Sequence, residues 1–141
     1  MSQVKVDKIN SKYYYKKARD NVAIAEMARE KGFYQQAFSE AIRAFIAYID
    51  ALNIADLGVR SSSENHTETI DVFKRVQITD PERAKTKERI KSEYLRFIKY
   101  KSSADYDIDE FTSKDVEKIL KVLQDVDFFV KRELEERGHY T

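Results

Sequence analysis

The chain has 141 residues, of which 42% are apolar and 36% charged, and its net charge is +1. That describes a single folded, soluble domain and excludes an intrinsically disordered chain. With no cysteine and two histidines, it holds neither a disulfide framework nor a thiolate metal site, nor a three-histidine site.

The charge is not evenly spread. Residues 1–31 carry 8 basic and 4 acidic groups, and residues 82–101 carry 8 and 3. Residues 32–81 carry 4 and 7, and residues 102–141 carry 6 and 11. In a bundle, opposite segments pack side by side as complementary solvated faces, or the first and fourth helices form a basic face open to phosphate.

A first helix is expected from about residue 7 or 11 to 31, with Tyr14, Ala18, Val22, Ala25 and Ala28 following the 3.6-residue period. Gly32 closes it. A second helix, 33–57, carries one stripe of Ala37, Ala41, Ala44, Tyr48, Ala51 and Ala55. Beside it runs another of Phe38, Ile42, Phe45, Ile49 and Leu52. So wide an apolar face needs more than one neighbour, which makes this the central helix.

Gly58 ends that helix, and residues 58–66 read as a Ser-rich connection. A short third helix follows at about 67–76, with Asn65 and Glu68 spaced as a capping pair. Asp80-Pro81 opens a fourth helix that runs to about 102, with Ile90, Tyr94, Phe97 and Ile98 inward. Its first half, 82–89, is almost wholly polar and is expected to lie exposed. Residues 103–112 form an acidic connection. Thr112 or Ser113 caps a last helix presenting Val116, Ile119, Leu120, Leu123, Val126, Val130 and Leu134. No strand of period two and no repeat is visible. The expected fold is all-α, a four- to five-helix up-and-down antiparallel bundle over residues 1–141.

Few stretches carry recognisable chemistry. Asp105, Asp107, Asp109 and Glu110 alternate like a calcium loop. However, Glu110 stands where the turn needs glycine and Val116 where the bidentate glutamate belongs, so no metal is expected. Tyr13-Tyr14-Tyr15 lies among Lys12, Lys16 and Lys17. Such a cluster suits base stacking over phosphate contacts, or inward packing of one ring among solvated lysines. Arg43, Asp50 and Asn53 occupy the polar strip of the second helix, placed for pairing with a neighbouring helix or across a dimer interface, with a binding pocket as the alternative. Lys12, Lys16, Lys17 and Arg43 are the candidate phosphate contacts. No Gly-rich phosphate loop, serine nucleophile elbow or helical zinc motif is present, and no cofactor is expected.

The longest apolar run, 44–55, is too short to span a bilayer. Residues 1–12 lack the apolar core of a leader, so the expected location is cytoplasmic.

The order of helices and weak motifs resembles the HEPN domain family (higher eukaryotes and prokaryotes nucleotide-binding). The likeness rests on the Ala-rich first helix with Tyr14, Ala18, Ala25 and Ala28, and on Lys31-Gly32-Phe33-Tyr34. It continues through Ser39, Ala41, Ala44, Phe45 and Ala47-Tyr48, then Gly58, His66 and Phe73, then Ala104-Asp105-Tyr106 and Asp127-Phe128-Phe129-Val130. The resemblance implies a bundle that forms a homodimer through its helices and binds RNA, nucleotides or partner proteins. In many members it implies metal-independent RNA cleavage, with toxins paired to nucleotidyltransferase-like antitoxins among them. Nuclease members carry an arginine four to six residues before a histidine, with a polar residue after the arginine.

Here Arg60 precedes His66 with five residues between, and Ser61 is the polar neighbour. On the resemblance, Arg60 and His66 are the candidate catalytic pair. Histidine suits proton transfer near neutrality, and arginine suits the charge on a phosphorane. With ten arginines in the chain the spacing also arises by coincidence, as Arg132 before His139 shows. In that case His66 is a capping or surface residue and Arg60 a solvated loop residue. A non-enzymatic dimeric interaction module is the competing functional class.

Overall fold

A computed structural model describes residues 3–62, 66–101 and 110–140. The Asn65 cap, the Ala104-Asp105-Tyr106 motif and the acidic run through Asp109 lie outside the described residues. Five α-helices are described: α1 (Ser11–Glu30), α2 (Tyr34–Leu57), α3 (His66–Lys74), α4 (Pro81–Ile98) and α5 (Ser113–Glu136). The fold is an all-α bundle.

The two stripes of α2 explain its position. Every residue of both is buried, because α2 is packed by α1, α3, α4 and α5 together. Ala18 and Ala25 of α1 are fully buried, so the α1 and α2 backbones approach closely. Asp80 caps α4 by accepting from the Glu82 and Arg83 amides, and Thr112 forms a capping box with Asp115 at the start of α5. Gly58 takes the left-handed conformation (φ 71°) that ends α2.

Three features depart from the sequence reading. A two-stranded antiparallel sheet is present: β1 (Gln3–Lys5) pairs with β2 (Val59–Ser61), with Val4 opposite Arg60. Strands of three residues are too short to show a period, which is why the 58–66 segment reads as a simple connection. Within the tyrosine run, Tyr15 is buried while Tyr14 is only half-buried. The hydroxyls of Tyr15 and Tyr48 donate to the two oxygens of Asp127, at 3.0 and 2.5 Å.

The polar start of α4 is the third departure, for it is not simply exposed. Arg83 Nε donates to the buried Glu133 of α5 at 2.5 Å. Lys87 Nζ donates to the carbonyls of Lys74 and Val76, at and just beyond the end of α3, where no further helical turn supplies a donor. These polar residues turn inward because the buried groups opposite them need donors.

Candidate functional site

Three segments enclose a cleft of about 680 Å³. From α1 come Tyr14, Lys17, Asn21 and Ile24, spaced three, four and three residues apart and therefore on one face. From α2 come Glu40, Arg43, Ala47 and Asp50 on the matching face. The segment after α2 closes the third side with Arg60, Ser61 and His66, and Lys101 lies at the margin.

Arg60 is fixed by its backbone and by its side chain. Pairing of β2 with β1 sets the backbone, since Val6 N–H donates to Gly58 O at 2.9 Å just ahead of the register pair Val4–Arg60. Nε of Arg60 donates to the Tyr14 hydroxyl at 3.1 Å and Nη1 donates to Ser61 O at 2.8 Å. Among the described residues no acceptor is bonded to Nη2, and arginine's planar fork suits phosphate oxygens.

His66 is the first residue of α3. The Tyr94 hydroxyl donates to its carbonyl at 2.8 Å. Asn53 Nδ2 donates to Thr69 O at 3.2 Å, and the Ser61 and Thr69 hydroxyls lie 2.6 Å apart. The strand bearing Arg60 and the helix bearing His66 are thus tied to each other and to α2.

Asp50 lines the same cleft. It is 8% exposed, and its Oδ1 accepts no hydrogen bond among the described residues. Burial pushes its carboxyl up to about 7, against the opposing fields of Arg60 and Lys17. Asn21 Nδ2, also buried and also in the wall, has no acceptor among the described residues. Among the described residues cations outnumber carboxylates around the cleft, with Lys17, Arg43, Arg60 and Lys101 set against Glu40 and Asp50. Arg43 Nη1 bonds Glu40 at 3.0 Å.

Of the residues singled out in the sequence, Lys17, Arg43, Arg60 and His66 line this one cleft. Lys12 and Lys16 do not. They border a separate groove with Tyr13, Tyr15, Arg19 and Tyr140, and Lys16 pairs with Asp20 at 3.3 Å. One helical turn separates Lys12 and Lys16 from each other, whereas Lys17 projects about 100° away from Lys16. No residue of α4, as it ends at Ile98, lines the cleft. The cleft's cations come from α1, α2, β2 and Lys101, while Arg83 and Lys87 of α4 serve the core. Sequence reasoning does not reach Asn21, Lys101 or the place of Asp50 in the cleft wall. The signal for Asp50 is its seven-residue offset from Arg43, which puts the two on one face. No group of acidic and histidine side chains able to hold a metal occurs among the described residues. Among them, too, no helix is long and apolar enough to cross a membrane.

Neither a protein-family model nor a curated protein matches the chain. Its fold is similar to that of TT1696 from Thermus thermophilus, a crystal structure, with a TM-score of 0.60 and 17% sequence identity. The similarity covers 89% of this chain and 98% of that one. At that identity it speaks to the fold alone.

Proposed function

We propose that the cleft binds the sugar-phosphate backbone of RNA and that Arg60 and His66 cleave it without a metal. The observation that carries this reading is their meeting in one cationic cleft, with Lys17 and Arg43, although they come from a strand, a helix start and two other helices. Its volume falls in the range of small-ligand sites, enough for a nucleotide.

In the reaction the ribose 2′-hydroxyl loses its proton and its oxygen attacks the adjacent phosphorus. The P–O5′ bond breaks, and the leaving oxygen takes a proton. A 2′,3′-cyclic phosphate and a 5′-hydroxyl result. His66 exchanges protons in this sequence, and Arg60 Nη2 faces the charge that gathers on the phosphorane oxygens. Lys17 and Arg43 hold the neighbouring phosphates.

The test is incubation of the protein with labelled structured RNA in excess EDTA, beside a His66→Ala variant. Cleavage by the wild type alone is expected, with a loss of about a hundredfold or more in the variant. Equal cleavage by both sinks the assignment. Intact RNA in both lanes, with RNA retained at low salt and released as salt rises, reduces the function to binding. No retention at low salt turns the reading to an interaction module. Ile24 and Met27 of α1, 47% and 58% exposed, then offer a face for a second copy, read by light scattering.

A further inference from the structure

Asp50 has no evident structural use. A carboxyl buried this far is normally paired or heavily hydrogen-bonded, because an ionised oxygen taken from water without a donor is costly. The chain supplies a cation to Glu133, which is buried as deeply, in the form of Arg83. Arg60 and Lys17 reach Asp50 through their fields, but no donor bonds its Oδ1 among the described residues. Arg60 gives Nε to Tyr14 and Nη1 to Ser61. The carboxyl sits in the wall of the cleft, which also bears the cations that would grip phosphate.

An anion in the wall of an anion-binding cleft repels phosphate, so it must meet another part of the ligand. The part must be a hydrogen-bond donor, and it must lie within a nucleotide's reach of the phosphate. On an RNA backbone the group that meets both conditions is the ribose 2′-hydroxyl.

We propose that Asp50 accepts a hydrogen bond from the 2′-hydroxyl and so makes the cleft select RNA over DNA. This rests on the reading of the cleft as an RNA site and adds to it the residue that reads the sugar. Lys17, Arg43 and Arg60 contact phosphates, which RNA and DNA share. Asp50 contacts the one group that differs. With Asp50 facing the proton that the 2′-hydroxyl loses, His66 is left to the leaving 5′ oxygen.

The experiment measures binding of one short single-stranded oligonucleotide of adenine and cytosine in its ribo and 2′-deoxy forms. It is done by fluorescence anisotropy in EDTA at low salt, and the RNA is checked for integrity afterwards. The wild type is expected to bind the ribo form about tenfold more tightly, the scale of a hydrogen bond to a charged group. Asp50→Ala should bring that ratio to about one while the deoxy form binds at least as well as before, since a repelling charge has gone. Asp50→Asn keeps the volume and should lower the ratio part of the way, and circular dichroism of both variants verifies the helices. A ratio unchanged in the two variants overturns the proposal. So does a wild type that binds both forms equally, which leaves the phosphate site standing. Failure to bind either form at low salt overturns the RNA site and the proposal together.

Discussion

Among the described residues two acidic side chains are buried, Glu133 and Asp50, and the chain treats them differently. Glu133 of α5, 2% exposed, receives Arg83 Nε at 2.5 Å and Arg137 Nη1 at 2.7 Å. Arg137 in turn bonds Asp56 at 3.0 Å and Gln77 O at 2.7 Å, so α2, α4, α5 and the segment after α3 are knitted together. Asp50 of α2 has Arg60 and Lys17 within reach of its field, yet its Oδ1 receives no bond among the described residues. A carboxylate ringed with donors holds a fold together. One left without them costs the fold stability, since its charge is taken from water without compensation.

That contrast predicts effects of opposite sign. Glu133→Ala removes the buried carboxylate that Arg83 and Arg137 share, leaving Arg83 with Asp80 and Glu136 and Arg137 with Asp56, and should destabilise the protein by about 2–3 kcal/mol in urea denaturation. Any RNA binding should be unchanged once the variant is folded. A loss below about 1 kcal/mol would mean that the network is as dispensable as a surface ion pair.

Asp50→Asn should do the reverse. The Asp50 carboxyl rises from an ordinary 3.8 to about 7 because burial disfavours its charged form. Between those values the folded state binds more protons than the unfolded one, so wild-type stability falls as pH rises through that window and levels off above it. Asparagine has no charge to bury. The variant should therefore be more stable than the wild type at pH 8 by up to about 4 kcal/mol, an order-of-magnitude figure from about 1.4 kcal/mol per pH unit. The gain should shrink as pH falls toward 4. Denaturation curves at pH 5 and pH 8 decide it, and a variant that is less stable at both erases the distinction between the two carboxylates.

The smallest effect belongs to Lys17, which borders Asp50 without bonding it. If it serves a phosphate, Lys17→Ala should lower the slope of log affinity for single-stranded RNA against log salt by about 0.7 and leave the ribo-to-deoxy ratio unchanged. An unaltered slope would move the phosphate contacts to Arg43 and Arg60.

The stripes of α2, the capping Asp80 and Thr112, and the α1 alanines are all readable in the chain, because each depends on neighbours three or four residues away. The cleft is half readable. Arg60 and His66 emerge from a spacing, Lys17 and Arg43 from charge on particular helix faces. Their convergence is not readable, since it depends on Val4 pairing with Arg60 and Ser61 meeting Thr69. Lys12 and Lys16 group with Lys17 because they are close in sequence, but the helix turns them toward Tyr13 and Tyr140. Arg83 and Lys87 read as solvent-facing because their partners, Glu133 and the last carbonyls around α3, lie far along the chain or belong to the backbone.

The short pairing of β1 with β2 has a consequence for when the site comes into being. It joins the segment before α1 to the segment after α2, so the loop it closes contains both helices. Contacts of that span form only after the chain between them has been shortened by folding, and two three-residue strands would not hold together without that support. Arg60 is therefore aligned late, after the α1–α2 hairpin has formed. A partly folded chain, its helices present but its ends still apart, carries the cleft's lysine and carboxylate without its arginine in register.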